Sequence, residues 1–163
     1  PIPKIFKLAS NMKVAEGIFK GETINTPSML CVEDALDALN WIKTIGGIEG
    51  AIKKSKSNLE VIKKWVQNKP WIDFLAEDPS TISSTSICLK ITDEWFLKLS
   101  EEERTAKLKE INSLLEKEGV AYDINSYRTA PPGFRIWGGA TVESSDIETL
   151  LPWIDWAYTT IKQ

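Results

Sequence analysis

The chain has no histidine at all. That removes the usual general base near neutral pH, the Ser-His and Cys-His nucleophile pairs, and most zinc sites in one step. Cysteine is scarce too. Cys31 and Cys88 lie far apart in apolar surroundings, as reduced core thiols of a cytosolic protein would. No apolar run approaches a membrane span, and there is no internal repeat or low-complexity tract. A basic surplus is also missing: the formal net charge of −3 argues against a nucleic-acid surface, which needs a concentrated basic footprint. The start, Pro1-Ile2-Pro3-Lys4, carries neither an initiator methionine nor a signal peptide, so the chain reads as a piece of a longer polypeptide. Any chemistry must come from a cofactor or from another part of that polypeptide.

What is present is ordinary for a globular domain. The 163 residues, 42% apolar and 26% charged, suffice for one core or for a core plus a flanking piece. Residues 1–24 lack a clear period and are expected to be extended or looped, packing on something outside the chain. A polar turn, Gly21 to Ser28, leads into a helix whose apolar face is Val32, Ala35, Leu36, Leu39, Ile42 and Ile45. Asn25, Thr26 and Ser28 suit capping of that helix, or else the holding of a phosphate at its N-terminus. Gly46-Gly47 ends it.

A second helix is expected over 48–67, with the stripe Ile48, Ile52, Ser55, Leu59, Ile62 and Val66 and a lysine-rich solvated face. Strands are expected at Trp71–Leu75 and Thr85–Thr92, joined by a polar loop. A short helical turn follows near Trp95-Phe96. Ser100 and Glu103 then form a capping box for a helix to Lys117, stopped at Gly119. Val120–Ile124 reads as a third strand. The last helix opens at Ser144 or Ser145 and carries Pro152, which should kink it or split off its first turn. The order α-β-β-α-β-β-α from residue 48 onward makes an antiparallel sheet with helices packed on it, the α+β class.

The stretch Ser126 to Gly139 is the least ordinary. Pro131, Pro132 and Gly133 force a turn, and Phe134 to Trp137 follows as a short strand ended by Gly138-Gly139. Alternation puts Phe134 and Ile136 on one face, Arg135 and Trp137 on the other. A guanidinium there must find an anion or reach water. Either Arg135 is an edge arginine in solvent or in an internal salt bridge, or it is a bidentate clamp for a carboxylate or phosphate, with Arg128 as a second cation.

Three segments together resemble the phosphoserine aminotransferase family. They are Gly-Ile-Phe-Lys-Gly-Glu-Thr-Ile-Asn-Thr-Pro-Ser-Met-Leu (17–30), Tyr-Arg-Thr-Ala-Pro-Pro-Gly-Phe-Arg-Ile-Trp-Gly-Gly-Ala-Thr-Val-Glu (127–143) and Leu-Leu-Pro-Trp-Ile-Asp-Trp-Ala (150–157). The resemblance covers the whole chain in order and corresponds to the C-terminal portion of that enzyme. It implies the fold type I aminotransferase architecture, with residues 1–47 as the end of the large domain and the first connecting helix, and 48–163 as the small domain. It also implies a cytoplasmic homodimer using pyridoxal 5′-phosphate, which exchanges an amino group between glutamate and 3-phosphohydroxypyruvate to give phosphoserine in serine biosynthesis.

By that resemblance Asn25 and Thr26 contact the cofactor phosphate in the neighbouring subunit's site, and Arg135 pairs with the substrate carboxylate. Arg128 lies near the position where many relatives carry His-Arg for the substrate's phosphate end. Here the pair is Tyr127-Arg128. The family's cofactor-binding lysine lies upstream of Pro1, so no catalytic residue is expected in these 163 residues and the chain alone should be inactive. Metal, membrane and nucleic acid have no expected role. The competing expectations are a stand-alone α+β module that binds a small anion through Arg128 and Arg135, and a structural fragment in which both arginines make internal salt bridges.

Overall fold

The computed structural model describes every residue except 1, 2, 4, 5, 11, 128 and 163, together with all described side chains but those of residues 10 and 18. It divides into two compact units, residues 1–44 and residues 45–163.

In the first unit a two-stranded antiparallel hairpin pairs β1 (Ala9–Ser10) with β2 (Lys13–Val14), and a 3-10 turn follows at Glu16–Lys20. The hairpin is more order than the unpatterned sequence there suggested. Helix α1 (Met29–Thr44) forms where its apolar period calls for one, yet none of its residues is buried. Val32, Leu36, Leu39 and Trp41 are all exposed, and so is Cys31. The expectation of a core thiol therefore fails at Cys31, because the apolar side it occupies has no cover among the described residues of this unit.

The second unit holds the core. Helix α2 (Gly47–Gln67) buries Ser55, Asn58, Leu59, Ile62, Trp65 and Val66, so the expected stripe is real from Ser55 onward. Its first part is not covered, with Ile48 71% exposed and Ile52 39%. Next come β3 (Ile72–Phe74) and β4 (Ser86–Ile91), paired antiparallel with Ile72 opposite Ile91. The loop between them contains a short 3-10 turn at Pro79–Thr81, where the Asp78 carboxylate accepts from Ser80 N–H at 2.8 Å. Helix α3 (Glu94–Leu97) inserts Phe96 into the core.

Helix α4 (Glu101–Lys117) opens on the expected capping box: the Ser100 hydroxyl accepts from Glu103 N–H at 3.2 Å and Glu103 accepts from Ser100 N–H at 2.8 Å. It closes with two bonds, Val120 N–H to the Leu115 carbonyl and Gly119 N–H to that of Glu116. That paired ending needs a left-handed residue at the turn, and Gly119 supplies it at φ +70°. Leu108, Ile111 and Leu115 face inward.

The expected third strand is not one. Val120–Ile124 is irregular, and the sheet has three strands in the order β3-β4-β5, where β5 is Phe134–Trp137. Its backbone meets β5 only at its end, where Arg135 N–H donates to the Ile124 carbonyl beside an isolated bridge between Asn125 and Phe134. The α+β architecture is unchanged by this. Helix α5 (Ser144–Lys162) then runs through Pro152 as one helix, burying Ile147, Leu151, Ile154, Ala157 and Tyr158.

Alternation sorts the sheet. Ile87, Leu89 and Ile91 of β4 and Phe134 and Ile136 of β5 are buried, while Ser86, Cys88, Lys90 and Arg135 are only half-buried. Each large apolar side chain removed from water contributes about 1.5–3 kcal/mol, so this face sets the sheet's orientation. At the end of α5, Tyr158 stacks on Trp71 at 3.8 Å between ring centres. Its hydroxyl accepts from Trp95 Nε1 at 2.9 Å and donates to Asp93, which also accepts from Lys162. The Lys162 and Tyr158 hydrogen bonds hold the Asp93 carboxyl below its ordinary range, and burial raises the Tyr158 hydroxyl well above its own. No helix among the described residues is long and apolar enough to cross a membrane.

Candidate functional site

Arg135 sits on the half-open face of the sheet, and its backbone is held from both sides. Across β4 its Cα partner is Cys88. On the other side its N–H donates to the Ile124 carbonyl at 2.8 Å, and Ser126 N–H donates to the Gly133 carbonyl at 3.1 Å. Gly133 brings β5 against β4 where no side chain fits, since a Cβ there would lie 2.2 Å from the Leu89 carbonyl oxygen.

The side chain is framed by the preceding loop. Ala121 and Ile124 are buried, which anchors that loop and leaves Tyr122 and Asp123 outside. Nη2 of Arg135 donates to Oδ2 of Asp123 at 3.1 Å. The guanidinium carbon lies 4.8 Å from the centre of the Tyr127 ring, a cation–π contact. Arg135 is 28% exposed at its side chain and Asp123 is 78% exposed. Trp137, next on the same face, is exposed and lies against Gly139.

The end of β5 is held by a residue that periodicity alone did not single out. Asn58, 1% exposed on α2, directs its Nδ2 at the carbonyls of Gly138 (3.0 Å), Gly139 (3.3 Å) and Val142 (2.9 Å). Its Oδ1 accepts from the Ser144 hydroxyl at 2.7 Å. One amide thereby ties the glycine pair after β5 and the start of α5 to α2. The available signal was an asparagine beside Leu59 on a buried stripe, where an amide needs partners on both ends.

Of the other expected site residues, Arg128 lies outside the described residues. Asn25 and Thr26 are exposed in the irregular segment ahead of α1, in the first unit. Their amide and hydroxyl suit phosphate oxygens, so they fit the phosphate end of a cofactor. Among the described residues no cluster of acidic or cysteine side chains could hold a metal.

No family model matches the chain. Curated sequences do. The phosphoserine aminotransferases of Methanosarcina mazei and Methanosarcina barkeri are each 49% identical to it over 162 residues, which is 99% of this chain and 41% of either relative. The chain is homologous to the C-terminal part of phosphoserine aminotransferase. It therefore spans well under half the length of the curated relatives it matches. A putative phosphoserine aminotransferase of Mycobacterium leprae is 23% identical over 86% of the chain. Among solved structures, the phosphoserine aminotransferase of Bacillus circulans subsp. alkalophilus superposes with a TM-score of 0.66 at 20% identity, over 83% of this chain and 34% of that one. A phosphoserine aminotransferase studied for radiation damage of its Schiff base gives 0.67 at 18% identity, over 90% and 37%. At those identities the likeness is one of fold.

Proposed function

We propose that the chain is the C-terminal portion of a phosphoserine aminotransferase and supplies its substrate-carboxylate grip. In this reading residues 1–47 end the large domain and 48–163 form the small domain of a cytoplasmic homodimer. The amino group passes between glutamate and 3-phosphohydroxypyruvate, giving phosphoserine. Pyridoxal 5′-phosphate, when bound, withdraws electrons from the substrate's α-carbon. Asn25 and Thr26 would hold its phosphate, in the neighbouring subunit's site. Arg135 would grip the substrate carboxylate, and Arg128 would meet the substrate's phosphate end. The lysine that holds the cofactor and moves protons belongs to the upstream portion, so the 163 residues alone are inactive.

The identity of 49% across essentially the whole chain carries this reading. It is supported by Arg135, whose guanidinium stands on the half-open face of the sheet rather than in the core. The test is to join or co-express the chain with the lysine-bearing portion of the Methanosarcina mazei relative and assay transamination of 3-phosphohydroxypyruvate by glutamate. Activity of the assembled protein, with none from the chain alone, is expected. A soluble assembled protein without activity, or an active 163-residue chain, would overturn the reading.

A further inference from the structure

We propose that Asp123 is a displaceable counter-ion that occupies Arg135 until a ligand carboxylate takes its place, and so lowers the affinity of the site for carboxylates. This rests on the reading of Arg135 as the carboxylate grip.

The geometry points to displacement rather than to a permanent brace. Asp123 reaches Arg135 through one hydrogen bond, from Nη2 at 3.1 Å. A guanidinium grips a carboxylate in parallel either end-on, through Nη1 and Nη2, or side-on, through Nε and Nη2. Nη2 is common to both grips, so a carboxylate held by two bonds must share that nitrogen with Asp123 or displace it. Asp123 is easily displaced. Its side chain is 78% exposed, its carboxylate regains water on leaving, and ion pairs of such exposure are weak.

Departure of Asp123 does not release the arginine. The guanidinium still lies over the Tyr127 ring, and the backbone at Arg135 stays bonded to Ile124. Between ligands, Asp123 and Tyr127 keep the guanidinium paired and in place. Asp123 is thus a positioning residue that acts through Arg135.

The test has two readouts. In the 163-residue chain, sodium acetate is titrated at constant ionic strength while the Arg135 Nε–H resonance is followed, assigned by its loss in Arg135→Lys. Asp123→Asn should lower the half-saturating acetate concentration about two- to fivefold, as expected for removal of a weak exposed pair. Asp123→Glu should stay near the parent chain. Asp73→Asn, which removes the same charge on β3 at the other edge of the sheet, should change little. In the assembled enzyme Asp123→Asn should lower the KM for glutamate by a similar factor with kcat unchanged, at an unaltered melting temperature. Weaker or unchanged acetate binding in Asp123→Asn overturns the proposal. So does an equal gain in Asp73→Asn, which would make the effect one of net charge. An Arg135 resonance that never responds to acetate overturns it as well, because an exchangeable counter-ion must exchange. If the acetate titration behaves as stated but the assembled protein does not transaminate, the functional reading falls and the Asp123 assignment stands. An active enzyme with unchanged KM and titration removes only the assignment of Asp123.

Discussion

Helices α1 and α2 look alike on paper and behave differently in the structure. Each carries apolar residues at three-to-four spacing, each runs to a polar or glycine end, and each forms where that spacing requires. Yet α2 buries six residues and α1 buries none. Val32, Leu36 and Leu39 on α1 are 37%, 48% and 56% exposed, whereas Leu59, Ile62 and Val66 on α2 are 7%, 0% and 8%. An amphipathic pattern thus records that a helix has a partner, not where the partner is encoded. For residues 45–163 the partner is the sheet and the other helices. Among its described residues the first unit has no comparable core of its own.

Substitutions on the two helices and on the sheet should differ in the same sense. The largest difference is expected between Phe134→Ala and Leu36→Ala. Phe134 is 1% exposed on the sheet's buried face, opposite Leu89, and its truncation should cost about 3–5 kcal/mol through lost transfer energy and a cavity. Leu36→Ala on α1 should change the stability of the chain by no more than about 0.5 kcal/mol. Denaturant unfolding followed by tryptophan fluorescence measures both, and similar losses would show that α1 is covered after all.

Next in size is Asn58→Leu against Asn40→Leu. The first strands the carbonyls of Gly138, Gly139 and Val142 and the Ser144 hydroxyl without their amide. It should cost about 2–3 kcal/mol, since buried groups left unpaired bear their desolvation in full. Asn40, exposed on α1, should tolerate the change. Smaller still is Ser100→Ala, which removes a reciprocal cap and should lower stability by about 1 kcal/mol.

The smallest effect is one of pH, and it belongs to the second unit. Asp93 has its folded-state pKa lowered from 3.8, first by Lys162 and then by Tyr158. Its contacts therefore stabilise the fold above that ordinary value and are lost as pH falls through the lower folded-state value. The melting temperature should fall on acidification in this range, and Asp93→Asn should flatten that part of the profile. Tyr158 acts at the other end. Its raised pKa means that stability is intact below about 10 and declines as pH rises beyond it, because the unfolded tyrosine ionises first. Tyr158→Phe should remove that alkaline slope.

Local signals in the sequence carried far in this protein. The capping box at Ser100 and Glu103, the glycine stop at Gly119 and the division of β5 into Phe134/Ile136 and Arg135/Trp137 are each a matter of a few adjacent residues, and each is present. What was not legible depends on distant partners. Val120–Ile124 has strand composition, but its backbone bonds to β5 only through the Ile124 carbonyl, beside the Asn125–Phe134 bridge, so no ladder forms along it. Cys31 looked like core because its neighbours are apolar, and it is exposed because no described residue of its unit covers them. Asn58 and Asp123 gain their meaning from residues about 80 and 12 positions away, a separation no periodicity reports.

The proposed grip of Arg135 on a substrate carboxylate can be read from a single kinetic comparison. In the protein assembled with the lysine-bearing portion of the Methanosarcina mazei relative, kcat, KM for glutamate and melting temperature are compared for the parent and Arg135→Lys. Lysine keeps the charge and loses the planar fork, so two parallel charge-assisted bonds become one at best. KM should rise substantially at an unchanged melting temperature. Arg135→Ala should go further, losing on the order of a hundredfold in kcat/KM, since roughly 3 kcal/mol is a little over two decades. A lowered melting temperature with KM intact would contradict that role and leave Arg135 as a structural partner of Asp123 and Tyr127.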